Sequence, residues 1–363
     1  MRLRLLASTL VAACASLPCV AEEVVNLYSW PDYFPPAVIA AFERDTGVRV
    51  VYSTFDSNDV LEAKLSAGSS GYDVVIPNAV PHLGRQIPAG FYLELDRARL
   101  PNFKNLDPDI LRVLSDGPDP GNRFAVPWMW GTTGISYNID RIKQIMPDAP
   151  VDSLAMLFDP AIVARFKECG VNLLDSADDV FPAALMYLGR DGSDLAGDAV
   201  PAAAELVKQV RPFIRTLDSS NYITELASGS LCLTLGYSGD AKIAADRARD
   251  AGNGVRIGYA IPTQGASVYI DSLAIPKDAP HPDAAYAFID YMLRPDMAAQ
   301  ATNATGFPNA NAAATPLVDA AVRNDPGLYP GPEVRRRLVL GHPQSPATVR
   351  LVSRSWTQIK SGL

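Results

Sequence analysis

The stretch VVNLYSWPDYFPPAVIAAFERDTGVRVVYSTF, residues 24–55, decides the fold. Residues 24–30 have the apolar content of a strand. Residues 35–47 are typical of a helix, because prolines stand at their start and a glycine at their end. Residues 48–55 predict a second strand. A strand, a helix and a strand in this order indicate a βαβ unit with parallel strands.

The segments that follow repeat this alternation. Residues 58–68 (NDVLEAKLSAG) carry an Asn at the N-cap position and apolar residues at helical spacing. Residues 72–78 (YDVVIPN) form the continuous apolar run expected of a parallel strand covered on both faces. Later segments predict a helix at 201–210, a strand, tight turn and helix within 228–254, two short strands around a turn at 263–265, and a helix at 282–293 that restarts at Pro295. The fold class is therefore α/β.

The chain length of 363 residues exceeds what one hydrophobic core usually holds, so we expect two lobes. Since the sequence contains no Gly/Ser linker, the lobes should be joined by short hinge segments, one of them within residues 127–134. Ligands of open α/β sheets bind beyond the carboxyl ends of strands. Aromatic and acidic residues follow several predicted strands, at NLYSW-PD, DVVIP-N, LTLGYSG-D and VYI-D. This convergence predicts a ligand cleft.

Residues 1–21 are typical of a bacterial secretory signal, with two arginines, an apolar run and small residues before Glu22. We expect a mature periplasmic chain that starts near Glu22. An alternative is lipid attachment at Cys14, because residues 11–14 (VAAC) resemble a lipidation box, although the apolar run before them is short. No later stretch approaches the ~18 apolar residues of a membrane-spanning helix.

The net charge of −8 becomes −10 once Arg2 and Arg4 leave with the signal. Binders of nucleic acid or anionic membranes normally carry the opposite sign, so cationic partners are favoured. The mature chain keeps Cys169 and Cys232, and an exported protein with one remaining pair predicts a disulfide. The alternative is two buried thiols.

Several motifs together resemble those of the periplasmic polyamine-binding proteins of the putrescine and spermidine type. They are SWPDYFPP, DVVIPNA, AVPWMWGTTGISYN, CGVNLLDSADDVFPAALMYLG, LTLGYSGDAKIAADRA, IPTQGASVYIDSLAIPKDA, AYAFIDYMLRPDMAAQ and NANAAATPLVDAAVRNDPGLYP. The resemblance runs in unbroken order from about Val24 to Leu363. It implies a two-lobed periplasmic binding protein (type II) with a hinged ligand cleft between the lobes. Its lobes would comprise residues 22–127 and 256–302, and residues 128–255 and 303–363.

The resemblance also implies a function and a set of ligand-binding residues. The family delivers polyamines to an inner-membrane ABC permease, and we expect this chain to do so as a monomer. An aromatic box grips the methylene chain of the ligand and carboxylates grip its ammonium ends. The matching positions are Trp30, Asp32, Tyr33, Asn78, Asp179, Tyr237, Asp240, Tyr269, Asp271 and Phe307.

Three of these positions, and the neighbouring Pro31, change size or polarity relative to the family pattern. Pro31 and Asn78 stand where Ser is usual, Asp179 shortens a Glu, and Tyr237 replaces a Trp. The ligand is therefore an organic cation, with putrescine, another diamine, a longer polyamine or a guanidinium-bearing amine as alternatives. Local structural roles are also open for the acids, because Asp caps helices and turns well.

Other conspicuous residues have plainer interpretations. Trp128 and Trp130 are interpreted as core or lobe-interface residues and Trp356 as a packing residue, while residues 335–337 (RRR) suggest a solvated helix face. Trp30 and Tyr237 could likewise be ordinary core aromatics instead of ligand residues.

No enzyme motif stands out in the sequence. The three histidines are isolated along the chain, no phosphate-binding loop occurs, and residues 236–240 (GYSGD) lack the second glycine of a nucleophile elbow. The sequence thus favours a binding protein without cofactor or metal. Two alternatives remain: a polyamine sensor that signals to a membrane receptor or regulator, and a hydrolase that uses two of the aspartates as acid and base.

Overall fold

The computed structural model of the protein describes residues 23–362, so the predicted signal segment and Cys14 lie outside the described residues. The strands are β1 (Val24–Ser29), β2 (Arg49–Thr54), β3 (Val74–Val75), β4 (Ala125–Asn138), β5 (Val171–Leu173), β6 (Thr216–Leu217), β7 (Leu233–Tyr237), β8 (Ile257–Ala260), β9 (Ala266–Ala274) and β10 (Leu338–Val339). The α-helices are α1 (Pro36–Thr46), α2 (Asn58–Ser66), α3 (Gly84–Gln86), α4 (Pro108–Asp116), α5 (Ile139–Ile145), α6 (Ala155–Phe158), α7 (Pro160–Val163), α8 (Ala177–Tyr187), α9 (Ala199–Val210), α10 (Tyr222–Ser228), α11 (Ser238–Ala251), α12 (Pro282–Met292), α13 (Pro295–Thr305), α14 (Ala320–Arg323), α15 (Pro332–Arg335) and α16 (Pro346–Ser361). A π-helical turn spans Ala79–Leu83 and short 3-10 helices lie between the main elements.

The predicted βαβαβ unit is confirmed, since β1 pairs in parallel with β2 on one side and with β3 on the other. Helix α1 ends before Gly47, whose φ of 75° lies in the left-handed region that glycine adopts without a Cβ penalty. The predicted cap of α2 is wrong by one residue. Ser57 caps this helix, and the side chain of Asn58 instead accepts a hydrogen bond of 3.0 Å from the backbone N–H of Asn78.

Strand β4 connects two parts of the sheet. Its residues 125–132 pair antiparallel with β9, and its residues 133–138 pair with β7 and β8. The strand order is β2-β1-β3-β9-β4-β7-β5-β6. We call the part built on β1, β2, β3 and β9 the first sheet region and the part built on β5, β6, β7 and β8 the second sheet region. The predicted crossing at residues 127–134 includes the point where β4 changes neighbours.

Two predictions about strands are wrong. Strand β7 leads directly into α11 without the predicted intervening turn, and β9 is nine residues long. Asp271 therefore lies inside β9 rather than after a strand end. Helices α9, α12 and α13 confirm the helices predicted near residues 201, 282 and 295.

Aromatic side chains fill the interior on both sides of β4. Phe34 stacks on Trp128 with ring centroids 5.5 Å apart, and Phe181 meets Trp356 edge-to-face at 5.7 Å. Trp128 and Trp356 are both buried, as predicted for packing residues. Such rings contribute a large buried apolar area, and their edge-to-face pairs add about 0.5–1.5 kcal/mol each.

The predicted disulfide between Cys169 and Cys232 is confirmed, with Cα atoms 5.7 Å apart and a sequence separation of 63 residues. Cys232 immediately precedes β7, and Tyr237 ends that strand. The bridge thus lies at the end of β7 that faces away from α11. Over residues 23–362, no helix combines the length and apolar content required to cross a membrane.

Candidate functional site

Asp271, on β9, is one of three predicted site residues that contact each other through hydrogen bonds. The Tyr33 hydroxyl donates a hydrogen bond to its Oδ2 over 2.7 Å, and Asn78 Nδ2 donates to its Oδ1 over 3.1 Å. Burial raises the pKa of Asp271 to about 7, although these two hydrogen bonds act in the opposite direction. The residues come from the loop after β1, the segment after β3 and the interior of β9. The predicted proximity of these segments is observed here.

Asp179 is held in a similar way in the second sheet region. It lies in the first turn of α8, where the Tyr237 hydroxyl donates to its Oδ2 over 2.9 Å and Thr133 Oγ1 donates to its Oδ1 over 3.1 Å. Burial raises the pKa of Asp179, and the charge of neighbouring Asp178 raises it further. No sequence signal pointed to Thr133, which is one residue of a long apolar strand.

Asp240 is the third carboxylate of the site; it is buried and lies in the first turn of α11. Its Oδ2 accepts a hydrogen bond of 2.6 Å from the hydroxyl of Tyr222, and that hydroxyl accepts one of 3.1 Å from the backbone N–H of Tyr237. Burial raises the pKa of Asp240 to about 7, while the Tyr222 bond acts to lower it. Sequence reasoning missed Tyr222, because an aromatic residue on a short helix is usually only a core residue.

Four aromatic rings lie among these carboxylates. Tyr237 meets Tyr269 with centroids 5.2 Å apart, and Tyr33 meets Phe307 at 4.9 Å, both edge-to-face. Tyr269 and Phe307 join the two pairs at 6.4 Å. Burial, together with the negative charge of all three aspartates, raises the pKa of the Tyr237 hydroxyl, which shows that the acids act on one place. An apolar band flanked by carboxylates suits a molecule with cationic ends and an apolar middle.

Trp30 and Asp32 make contacts outside this group of hydrogen bonds and ring pairs, although the charge of Asp32 reaches Asp240 and raises its pKa. Trp30 packs edge-to-face on Phe55 at 4.5 Å and donates its indole N–H to the carbonyl of Ile76 over 3.1 Å. Asp32 forms an ion pair of 2.6 Å with Arg247 of α11, and both side chains are about half exposed. Arg247 follows Asp240 by seven residues, or two helical turns, and this spacing is the sequence signal that could have found it.

Residues 37–330 match the family model described as bacterial extracellular solute-binding protein. The chain belongs to this family. The expected type II fold and the recognition of the family are thereby confirmed.

Three relatives of this solute-binding protein are informative. It is 47% identical to the putrescine-binding periplasmic protein SpuD of Pseudomonas aeruginosa, over 99% of this chain and 98% of that protein. It is 44% identical to the putrescine-binding periplasmic protein PotF of Escherichia coli, over 99% and 97% of the two chains. The solved structure of the spermidine/putrescine ABC transporter substrate-binding protein PotD of Streptococcus pneumoniae superposes with a TM-score of 0.74, at 25% identity, and covers 94% of this chain and 99% of that chain.

One histidine of this solute-binding protein has acidic partners that the sequence did not reveal. His82 is isolated along the chain, yet in the structure it is buried between Glu62 and Asp178. The residue is 20 positions from one acid and 96 from the other, and no local pattern signals either contact. Among the side chains of residues 23–362, no group of His, Cys, Asp and Glu has the arrangement of a metal site.

Proposed function

We propose that this solute-binding protein captures putrescine or a related polyamine in the periplasm and presents it to an ABC importer. The observation that carries this proposal is the group of three carboxylates around aromatic rings, of which Asp240 and Asp271 are buried and Asp179 is half-buried. The putrescine-binding relatives, at 44–47% identity over nearly the whole chain, support the same ligand class.

The chemistry of a diammonium ligand matches these groups. Enclosing an ammonium ion without a direct anionic partner costs several kcal/mol, and the buried aspartates supply such partners. The methylenes between the charges gain about 0.8 kcal/mol per CH₂ on burial against the aromatic rings. Cation–π attraction at the ring faces adds about 0.5–2 kcal/mol.

Two of the departures from the family pattern compensate each other in this chain. Tyr237 is smaller than the usual Trp and Asp179 is shorter than the usual Glu, yet the Tyr237 hydroxyl reaches the Asp179 carboxylate over 2.9 Å. Asn78, which replaces a Ser, donates to Asp271. We infer that these substitutions retune the fit of the ligand and keep its charge recognition intact.

The remaining predictions complete the proposal. The predicted lobes, residues 22–127 with 256–302 and residues 128–255 with 303–363, close on the ligand by bending at the connecting strands. Strand β8, at residues 257–260, pairs with the second part of β4 and places that stretch beside the second sheet region. The protein acts as a monomer without catalysis, and the signal segment directs it to the periplasm.

A thermal-shift panel on the refolded mature protein tests the function. Putrescine, cadaverine, spermidine, spermine and agmatine are compared with amino acids as controls, and each positive result is followed by calorimetry. A ligand that binds only the native state raises the melting temperature, and we expect micromolar affinity, about −8 kcal/mol, for at least one amine. Absence of binding across all the amines would contradict the proposed ligand class.

A further inference from the structure

His82 is a buried titratable side chain that the proposed ligand contacts do not use. It lies in the Ala79–Leu83 turn that follows Asn78 and is 5% exposed. Its Nε2 is 3.3 Å from Oδ2 of Asp178, and its Nδ1 is 3.9 Å from Oε2 of Glu62. Both distances are within the range of ion pairs, which need a charged imidazole, but Nδ1 is buried without a hydrogen-bond partner among the described residues and interacts with Glu62 through charge alone.

The contacts of His82 join the two sheet regions. His82 and Glu62 belong to the first region, whereas Asp178 lies in the first turn of α8, in the second region. His82 and Asp178 are each close in the sequence to a candidate ligand residue. Asn78 precedes His82 by four positions, and Asp179 directly follows Asp178. An attraction between His82 and Asp178 therefore draws two parts of the candidate site toward each other.

The charged groups around His82 favour its cationic form. Glu62 of α2 and Asp178 of α8 are the two acids, and Arg85 of α3 is the one base, held to Glu62 at 2.7 Å. Burial lowers the pKa of His82, and the two acids outweigh both burial and Arg85, so that this pKa is raised. In turn the imidazolium outweighs the burial of Asp178 and lowers the pKa of that carboxyl. Asp271 of β9 also feels the charge of His82.

We propose that protonated His82 is a positioning residue that clamps the turn after β3 to α8 and thereby strengthens ligand binding. The inference rests on the proposed polyamine function and adds a pH-sensitive determinant of affinity outside the ligand contacts. If the lobes separate in the open form, the His82–Asp178 contact is lost while His82–Glu62 persists. The closed form then holds the imidazole proton more tightly than the open form does.

The direction of the pH effect follows from linkage. A group with a higher pKa in the closed form stabilises closure fully below its open-form pKa, and this contribution is lost as the pH rises through the closed-form pKa. Affinity supported by His82 thus declines with rising pH. The opposite trend comes from Asp240 and Asp271, whose ionisation near pH 7 favours a cationic ligand as the pH rises.

The test compares wild type with His82→Gln by calorimetry with putrescine from pH 6 to pH 8.5. The ratio of the two affinities cancels the titration of the amine and that part of the aspartate titration which does not depend on His82. We expect wild type to bind about tenfold more tightly at pH 6 and the ratio to approach one at pH 8.5, since tenfold corresponds to one unit of pKa difference between the two forms. A ratio that does not change with pH would overturn the proposal.

Two further variants separate this role from a general loss of packing. His281→Gln is the matched control, because His281 pairs at 3.1 Å with Asp73 of its own sheet region, and its affinity ratio should stay near one. Asp178→Asn should reproduce the pH-dependent loss, and the double variant with His82→Gln should lose no more than either alone. Additive losses would contradict a direct His82–Asp178 coupling.

A measurement on the wild-type protein covers the case in which the variants do not fold. The chain has three histidines, so the imidazole C–H signals are resolvable by NMR during a pH titration. We expect the His82 signal to titrate at higher pH with putrescine bound than without it. A His82 ring that is neutral at pH 6 in the bound protein overturns the proposal. If wild type binds no amine at all, the proposed function fails with it, whereas binding with a constant ratio refutes the role of His82 alone.

Discussion

Asp271 shows how one side chain can collect contacts from distant parts of a chain. Its two carboxylate oxygens accept hydrogen bonds from Tyr33 and Asn78, which lie 238 and 193 residues away. Both donors are neutral, so the carboxylate keeps its full charge when ionised. A cation that approaches it meets an anion already fixed in orientation.

Replacing Asp271 by Asn removes this charge with almost no change in volume. We expect the affinity for putrescine to fall by about 2–5 kcal/mol, as for a buried charge pair that loses one partner, and calorimetry measures it. Asp283→Asn is the control, because Asp283 is an exposed acid paired with Arg99 at the surface. Unchanged affinity in Asp271→Asn would remove this residue from the site.

Asp240 should oppose stability while it supports binding. Burial raises the pKa of this carboxyl to about 7 from 3.8. The raised pKa contributes stability below about pH 3.8 that is lost as the pH rises through 7, up to about 4 kcal/mol. At pH 8, Asp240→Asn should therefore raise the melting temperature of the ligand-free protein and weaken putrescine binding.

The stability difference should shrink at pH 5, where the folded wild type keeps the Asp240 proton. Thermal unfolding at the two pH values gives the comparison. The exposed Asp250 on the same helix serves as the control, and Asp250→Asn should change stability by less than about 0.5 kcal/mol. A melting temperature for Asp240→Asn that falls at pH 8 would show that the carboxylate is not destabilising.

Residue types were predictable from the sequence to a useful extent, and their partners were not. The resemblance supplied the acids and aromatics, and eight of those ten positions lie together in the structure. Thr133 and Tyr222 escaped notice because their hydroxyls matter only through the acids opposite them, which chain folding alone brings near. Asp32 was predicted as a ligand residue or a cap, and its contact with Arg247 could not be foreseen because it depends on how α11 approaches the first loop.

Helix α11 carries much of the site on one element. It begins directly after β7, so its first turn sets the position of Asp240 relative to Tyr237. Gly239 stands between them, and a Cβ on this residue would lie 2.5 Å from the ring of Phe307. The close approach of helix backbone and aromatic ring needs a residue without a side chain.

Gly239→Ala should consequently disturb the aromatic group. Alanine improves helix propensity by about 1 kcal/mol, whereas overpacking a well-filled interior costs about 1–3 kcal/mol, so we expect a net loss of stability. The displaced Phe307 ring should also weaken putrescine binding. Thermal unfolding and calorimetry measure both, with Gly331→Ala as the control, because that Cβ meets nothing within 4 Å. Wild-type values for Gly239→Ala would mean that the Phe307 ring moves without penalty.

Secondary structure followed from local signals where these were strong. Prolines and glycines marked the ends of α1, and apolar runs marked β1, β2 and β7. The misassigned details, the cap of α2 and the extent of β9, depend on tertiary pairing. Strand β9 is long because residues 125–132 of β4 pair with it. The sequence near Asp271 contains no signal of this pairing.

At the scale of the whole molecule, the disulfide stabilises one end of the second sheet region. The bridge between Cys169 and Cys232 closes a loop of 63 residues, worth about 4 kcal/mol in the chain-entropy model. Replacing both cysteines by Ala should lower the free energy of unfolding by about that amount, and the melting temperature with it. Putrescine affinity should stay unchanged, because Cys232 and Tyr237 lie at opposite ends of β7. Calorimetry well below the melting temperature measures the affinity. A parallel loss of affinity would mean that the bridge shapes the ligand site.

The pairing of strand β4 has a further consequence for ligand uptake and release by this solute-binding protein. The strand exchanges main-chain hydrogen bonds with β9 along one stretch and with β7 and β8 along the other, so each sheet region keeps its own ladder. In the proposed hinge motion, a bend at the changeover near residues 132–133 would separate the regions without breaking either ladder. Loading and unloading would then leave no part of the sheet to be rebuilt, and the protein would return to the same strand register after every delivery.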